Sequence, residues 1–213
     1  MCRVRVKICG ITRLEDALAA AEAGADAVGF VFWPHSPRFV SLEEGGRMAS
    51  RLPPFLQRVG VFVDSPPSEV RKAIEAVGLT TLQFHGKESP EYCSDWSLPV
   101  IKAFRTGPEF SLREVRPYRS VSAILVDGYR PGLMGGAGVR SDWTLAQRIK
   151  RYARVILAGG LTPENVGEAI RAVRPYAVDV SSGVEKRPGQ KDWRLVFAFV
   201  RAVQRACQEL EGE

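Results

Sequence analysis

Eight short runs of β-branched and apolar residues recur along the chain. They are VRVKIC (4–9), DAVGFVF (26–32), QRVGVFV (57–63), TTLQF (80–84), PVIKAF (99–104), SAILVD (122–127), RVILAG (154–159) and YAVDVS (176–181). Between most of them the apolar residues switch to helical spacing. LEDALAAAEAG ends on Gly24, a residue suited to a helix C-cap. SLEEGGRMASRL follows Ser41, a candidate N-cap, and SPPSEVRKAIEAVG begins with serine and proline and stops at Gly78. TPENVGEAIRAV offers Thr162 as N-cap with Pro163 in the first helical position, and a long one-sided apolar helix closes the sequence. The segment 106–120 is the least regular, and its helix is expected to be short. Eight strand–helix units in 213 residues, evenly spaced and without a linker, predict a single (β/α)8-barrel domain over residues 1–213. The rival arrangement is a doubly wound open sheet.

In such a barrel the reactive groups come from the C-terminal ends of the strands and the loops after them. Polar residues and glycines do gather there. Side chains alternate along a strand, so Val4, Val6 and Ile8 of the first strand share one face, and Arg5, Lys7 and Cys9 the other. The apolar face suits the surrounding helices, which turns Cys9 into the barrel mouth with Lys7 one layer beneath. An ammonium there favours the thiolate; the alternative is an inert buried thiol. Asp127 closes an otherwise apolar sixth strand, where a carboxylate is paired, solvated or functional. With Cys9 it forms a candidate acid–base pair. Asp179 is a further inward carboxylate. Arg38, in the loop after strand 2, is placed to grip a carboxylate or to lie on the surface. His85 at the end of strand 4 reads equally as structural or as functional.

Glycines supply another signal. Gly159 and Gly160 precede a predicted helix, and Ser181, Ser182 and Gly183 precede a predicted short extra helix. Backbone amides and the helix dipole at such places attract phosphate, and barrels bind phosphate with the loops after strands 7 and 8. Gly136 and Gly138, in GGAG (135–138), offer a third wall.

Composition narrows the partners. The net charge is +6 with a pI near 9.3, which fits solvated helix faces or a positive field for an anionic substrate. No dense basic run interleaves with aromatics, so nucleic acid is not expected. No apolar run approaches a membrane span, and MCRVRVKICG lacks the apolar core of a secretory signal, so a cytoplasmic protein is expected. Cys2, Cys9, Cys93 and Cys207 are scattered, with only two histidines to assist them, which argues against a disulfide framework or a metal site. Phe55 and Leu56 either meet a second subunit or cover the barrel base, so monomer and homodimer both stay open.

KICGIT, GFVF followed by SPR, VGVF, LQFHG, LAGGL, and VDVSSGVE followed by PGQKD resemble, in that order, the phosphoribosylanthranilate isomerase family. The likeness runs from the first strand to the helix after the eighth. It implies a cofactor-free, metal-free Amadori rearrangement of N-(5-phosphoribosyl)anthranilate to 1-(2-carboxyphenylamino)-1-deoxyribulose 5-phosphate in tryptophan biosynthesis. It further implies Cys9 as general base, Asp127 as general acid, Arg38 on the anthranilate carboxylate, and the glycine and serine loops on the phosphate. Lys7, His85 and Asp179 stand as further candidates at the substrate. The family pattern GGTG is GGAG here, so Ala137 lacks a hydroxyl that the pattern supplies. Two other readings remain: a different phosphosugar barrel such as indole-glycerol-phosphate synthase, and a non-catalytic phosphosugar sensor.

Overall fold

In the computed structural model, residues 3–128 and 141–212 are described. Eight parallel strands close into a barrel in sequence order: β1 (Arg5–Cys9), β2 (Ala27–Val31), β3 (Gln57–Phe62), β4 (Thr81–Phe84), β5 (Val100–Thr106), β6 (Ala123–Gly128), β7 (Val155–Leu157) and β8 (Ala177–Val180). Pairing of β8 back onto β1, with Lys7 beside Asp179, excludes the open sheet. The helices are α1 (Leu14–Ala23), α2 (Leu42–Ala49), α3 (Pro67–Val77), α4 (Pro90–Ser94), α5 (Leu112–Val115), α6 (Trp143–Ile149), α7 (Val166–Val173) and α8 (Trp193–Glu211). A short hairpin, β9 (Glu185–Arg187) and β10 (Gln190–Lys191), precedes α8.

Alternation along the strands divides the core in two. Ile8, Val28, Phe30, Leu82, Phe84, Ile124 and Val178 face outward into the main core that the helices cover. Val59, Ile101, Ala103, Leu125, Ile156 and Ala177 fill the barrel interior as a separate cluster. Helix ends follow local chemistry. Gly24 and Gly78 end α1 and α3 in the left-handed conformation, at φ 94° and 61°. Ser41 and Glu44 form a complete capping box on α2. The irregular stretch before β6 contains only the four-residue α5.

Two boundaries differ from expectation. Helix α7 is capped at Asn165, not Thr162. The Asn165 side chain spans the preceding turn: its Oδ1 accepts from Thr162 N–H (2.9 Å) and its Nδ2 donates to the Gly160 carbonyl (2.8 Å). Those local bonds hold 160–165 out of the helix. After β8, the expected short extra helix is a single 3-10 turn, Ser182–Val184, which contains Ser182 and Gly183 instead of following them; the hairpin comes next.

Candidate active site

Cys9, the last residue of β1, lines a cavity at the C-terminal mouth of the barrel. Its neighbour in register on β2 is Gly29, and a methyl group there would come within 2.8 Å of Sγ and 3.0 Å of Lys7 Cε. The missing side chain on β2 is what leaves room for both. Lys7 is buried one layer down and donates to both Asp179 oxygens (3.0 Å each) and to Gln83 Oε1 (2.9 Å). Burial opposes the Lys7 charge, but Asp179 and Cys9 outweigh it and its pKa is raised. At Cys9 the balance runs against the thiolate. Burial pushes the thiol pKa up and Asp179 adds to it, while the Lys7 ammonium pulls down without prevailing. The expected Lys7 effect exists in sign, but much of that charge is answered by Asp179.

Gln83 and His85 point inward from β4 and the residue after it. Gln83 Nε2 meets His85 Nδ1 at 3.2 Å, and His85 Nε2 lies 3.4 Å from Asp127 Oδ2. Asp127 Oδ1 accepts from the Gly128 amide (2.8 Å). The loop carrying His85 is fixed from outside the barrel by a buried ion pair: Lys102 Nζ donates to Glu88 Oε2 (2.8 Å) and the Gly86 carbonyl (2.7 Å). Glu88 in turn accepts from the Asp64 and Gly86 amides.

Arg38 reaches the mouth from the loop after β2. One edge of its guanidinium holds Glu185 in a two-point pair, Nε to Oε1 at 2.9 Å and Nη2 to Oε2 at 2.7 Å. Glu185 also accepts from buried Lys191 Nζ (2.9 Å), which donates to the Cys9 carbonyl (2.5 Å) as well. Burial works against the Glu185 carboxylate, yet the two cations hold its pKa below the ordinary value. Burial lowers the Lys191 pKa despite Glu185. Arg38 is thereby oriented with Nη1 outside the Glu185 pair.

The far wall is backbone. Gly159 and Gly160 adopt φ of 80° and 60°, a conformation that turns the chain at the end of β7. Gly183 packs so tightly on this loop that an added Cβ would lie 1.9 Å from the Leu161 carbonyl. Ser182 and Gly183 begin the 3-10 turn, where amides lack an acceptor within the turn.

One cavity therefore collects Cys9, Arg38, His85, Asp127, Asp179, Gly159, Gly160, Ser181, Ser182 and Gly183, beside the apolar surface of Val31, Trp33 and Val61. Lys7 lies beneath this cavity and does not line it. Gly136, Ala137 and Gly138 lie outside the described residues. Among the described residues no cluster of His, Cys, Asp and Glu could hold a metal ion.

The model of the N-(5'-phosphoribosyl)anthranilate isomerase family matches residues 6–202. The chain belongs to that family. An N-(5'-phosphoribosyl)anthranilate isomerase of Geobacter sulfurreducens is 52% identical over 198 residues, 93% of this chain and 97% of the relative. The crystal structure of the Thermotoga maritima phosphoribosyl anthranilate isomerase superposes with a TM-score of 0.89 at 45% identity, covering 95% of this chain and all of that one. A phosphoribosyl anthranilate isomerase in complex with reduced 1-(o-carboxyphenylamino)-1-deoxyribulose 5-phosphate gives 0.86 at 44% identity, with 95% and 100% covered. A third structure, of monomers generated from the dimeric Thermotoga maritima enzyme, gives 0.85 at 42%, again with 95% and 100% covered.

The chain is thus an isomerase of tryptophan biosynthesis with the barrel fold of its family. Three further residues belong to the site: Gln83, Glu185 and Lys191. Glu185 and Lys191 sat inside the quoted motifs VDVSSGVE and PGQKD, but nothing in their spacing shows that they pair over Cys9. Gln83 had a signal: a polar residue alternating with Leu82 and Phe84 must point into the barrel.

Proposed function

We propose that this isomerase rearranges N-(5-phosphoribosyl)anthranilate by general acid–base catalysis with Asp127 as acid and Cys9 as base. The observation that carries this reading is their common cavity, with an oriented guanidinium on one side and glycine-rich backbone on the other. The glycine and serine loops after β7 and β8 take the phosphate. Arg38 takes the anthranilate carboxylate with its remaining N–H groups, and Val31, Trp33 and Val61 pack on the ring. Anchoring at both ends holds the reacting carbons between acid and base.

Asp127 protonates the furanose ring oxygen and the bond from C1 to that oxygen breaks, leaving an iminium at C1. The iminium acidifies the proton on C2. Cys9 thiolate removes it, and the enolamine gains a proton at C1 and loses the one on its oxygen to give the ketone. Only protons move, so oxidation state is conserved overall. A thiol held protonated by burial becomes a useful base here because the iminium brings positive charge into the same cavity. All three buried lysines among the described residues, Lys7, Lys102 and Lys191, are tied to carboxylates, which favours this pair over a lysine acid of the indole-glycerol-phosphate synthase kind.

The test is a kinetic split. Cys9→Ala lowers kcat by about 10²–10⁴-fold with KM nearly unchanged, while Arg38→Met acts chiefly on KM. A Cys9→Ala enzyme with ordinary kcat overturns the assignment. The 213 residues act as one domain in the cytoplasm, where a biosynthetic enzyme of this kind meets its substrate. They pair as a homodimer, as the Thermotoga maritima relative is described. Phe55, 93% exposed at the barrel base, is the contact of choice; its neighbour Leu56 is buried in the main core and is not available to a partner.

A further inference from the structure

The polar layer beneath the mouth has one consistent orientation. Lys7 is an ammonium and can only donate, so the Gln83 amide must turn its oxygen to it, at 2.9 Å. The amide nitrogen then faces His85 Nδ1 at 3.2 Å and donates to it. A ring nitrogen that accepts carries no proton, so neutral His85 keeps its proton on Nε2. That nitrogen is buried, has no aligned hydrogen-bond partner among the described residues, and lies 3.4 Å from Asp127 Oδ2.

We propose that Gln83 is a positioning residue for the acid step: gripped by Lys7, it locks His85 as the Nε2–H tautomer facing Asp127. The inference rests on the reading of Asp127 as the acid. With Nε2 a donor, His85 cannot take the Asp127 proton. The other carboxyl oxygen already accepts from Gly128 N–H, so the acidic proton is directed into the cavity. As it leaves for the ring oxygen, charge grows on Oδ2 and the His85 N–H contact tightens. The interaction is therefore stronger in the transition state than in the ground state, which is the condition for accelerating the step. The opposite tautomer would present a lone pair to Asp127 and draw the proton away from substrate. Gln83 also lines the cavity, but its amide is engaged on Lys7 and His85, so it acts through His85.

The chain holds two histidines, His35 and His85, so ring nitrogens can be assigned with a single His35→Asn control. Long-range proton–nitrogen spectra of histidine-labelled protein at pH 8 report the tautomer directly. The wild type should show His85 protonated on Nε2 alone. Gln83→Glu places an acceptor against Nδ1, so the His85 proton should move from Nε2 to Nδ1, and kcat should fall by about tenfold or more while KM stays within about twofold. A wild-type spectrum with the proton on Nδ1 overturns the proposal, and it decides the matter even if Gln83→Glu does not fold. So does a Gln83→Glu enzyme whose tautomer changes while kcat does not. Asp127→Asn, run alongside, separates the two ideas. Ordinary turnover in that variant removes the acid assignment, whereas a wrong wild-type tautomer removes only the role of Gln83.

Discussion

On β1 the ammonium of Lys7 and the thiol of Cys9 share one face two residues apart, which the alternation of side chains makes plain in the sequence. What alternation does not carry is the strength of each influence, because desolvation depends on everything packed around the pair. Burial raises the Cys9 pKa, Asp179 adds to it, and Lys7 only moderates the result. An absorbance titration of the thiolate should place Cys9 above an ordinary thiol, and alkylation at neutral pH should be slow. Lys7→Met should raise it further. It should also destabilise the fold by roughly 3–5 kcal/mol in urea unfolding, since Asp179 is left buried without its cation. A lowered Cys9 pKa in that variant would contradict the account. Arg38 shows the same division. Its place in the loop after β2 was legible, but its pairing with Glu185 was not, because the two are 147 residues apart and meet only when the barrel closes.

At the scale of elements, all eight strands were legible from short apolar runs between turn residues, since parallel strands covered on both sides leave that signature. Helix starts were less so. The cap at Ser41 is legible because its capping box is local; the cap at Asn165 is not, because its side chain bonds backward across a turn that TPEN also permits. Ser41→Ala should cost about 1 kcal/mol by thermal or denaturant unfolding. The hairpin after β8 joins the barrel through Glu185, whose pKa is depressed in the fold. Sign follows from that: its contribution is present above the ordinary carboxylate range and is lost as pH falls through the lowered value. The stability gap between wild type and Glu185→Gln should therefore be full near pH 7 and shrink below about pH 4. A gap that widens on acidification would be inconsistent with two cations holding this carboxylate. On the opposite side, Glu88→Gln leaves Lys102 buried without its counter-charge, so the loop bearing His85 should loosen, at a cost of roughly 3–5 kcal/mol.

Over the whole molecule, closure of the barrel is what turns scattered residues into a site. Cys9 and Asp127 are 118 positions apart in the chain (127 − 9) and meet in one cavity because β1 pairs with β8 and the strands run in order. The opposite end of the barrel is also open, with Lys7, Phe55 and Tyr176 among its lining. Sedimentation velocity should show a dimer that Phe55→Gln weakens; an unchanged dimer would move the contact elsewhere. Turnover itself remains the most direct test of the acid–base pair. Phosphoribosylanthranilate, generated in place, is mixed with the protein and the anthranilate-type fluorescence followed as it is consumed, with Asp127→Asn in parallel. Rapid loss with the wild type and a rate near the uncatalysed blank with Asp127→Asn is the predicted result. Equal rates for the two proteins would contradict the account at its centre.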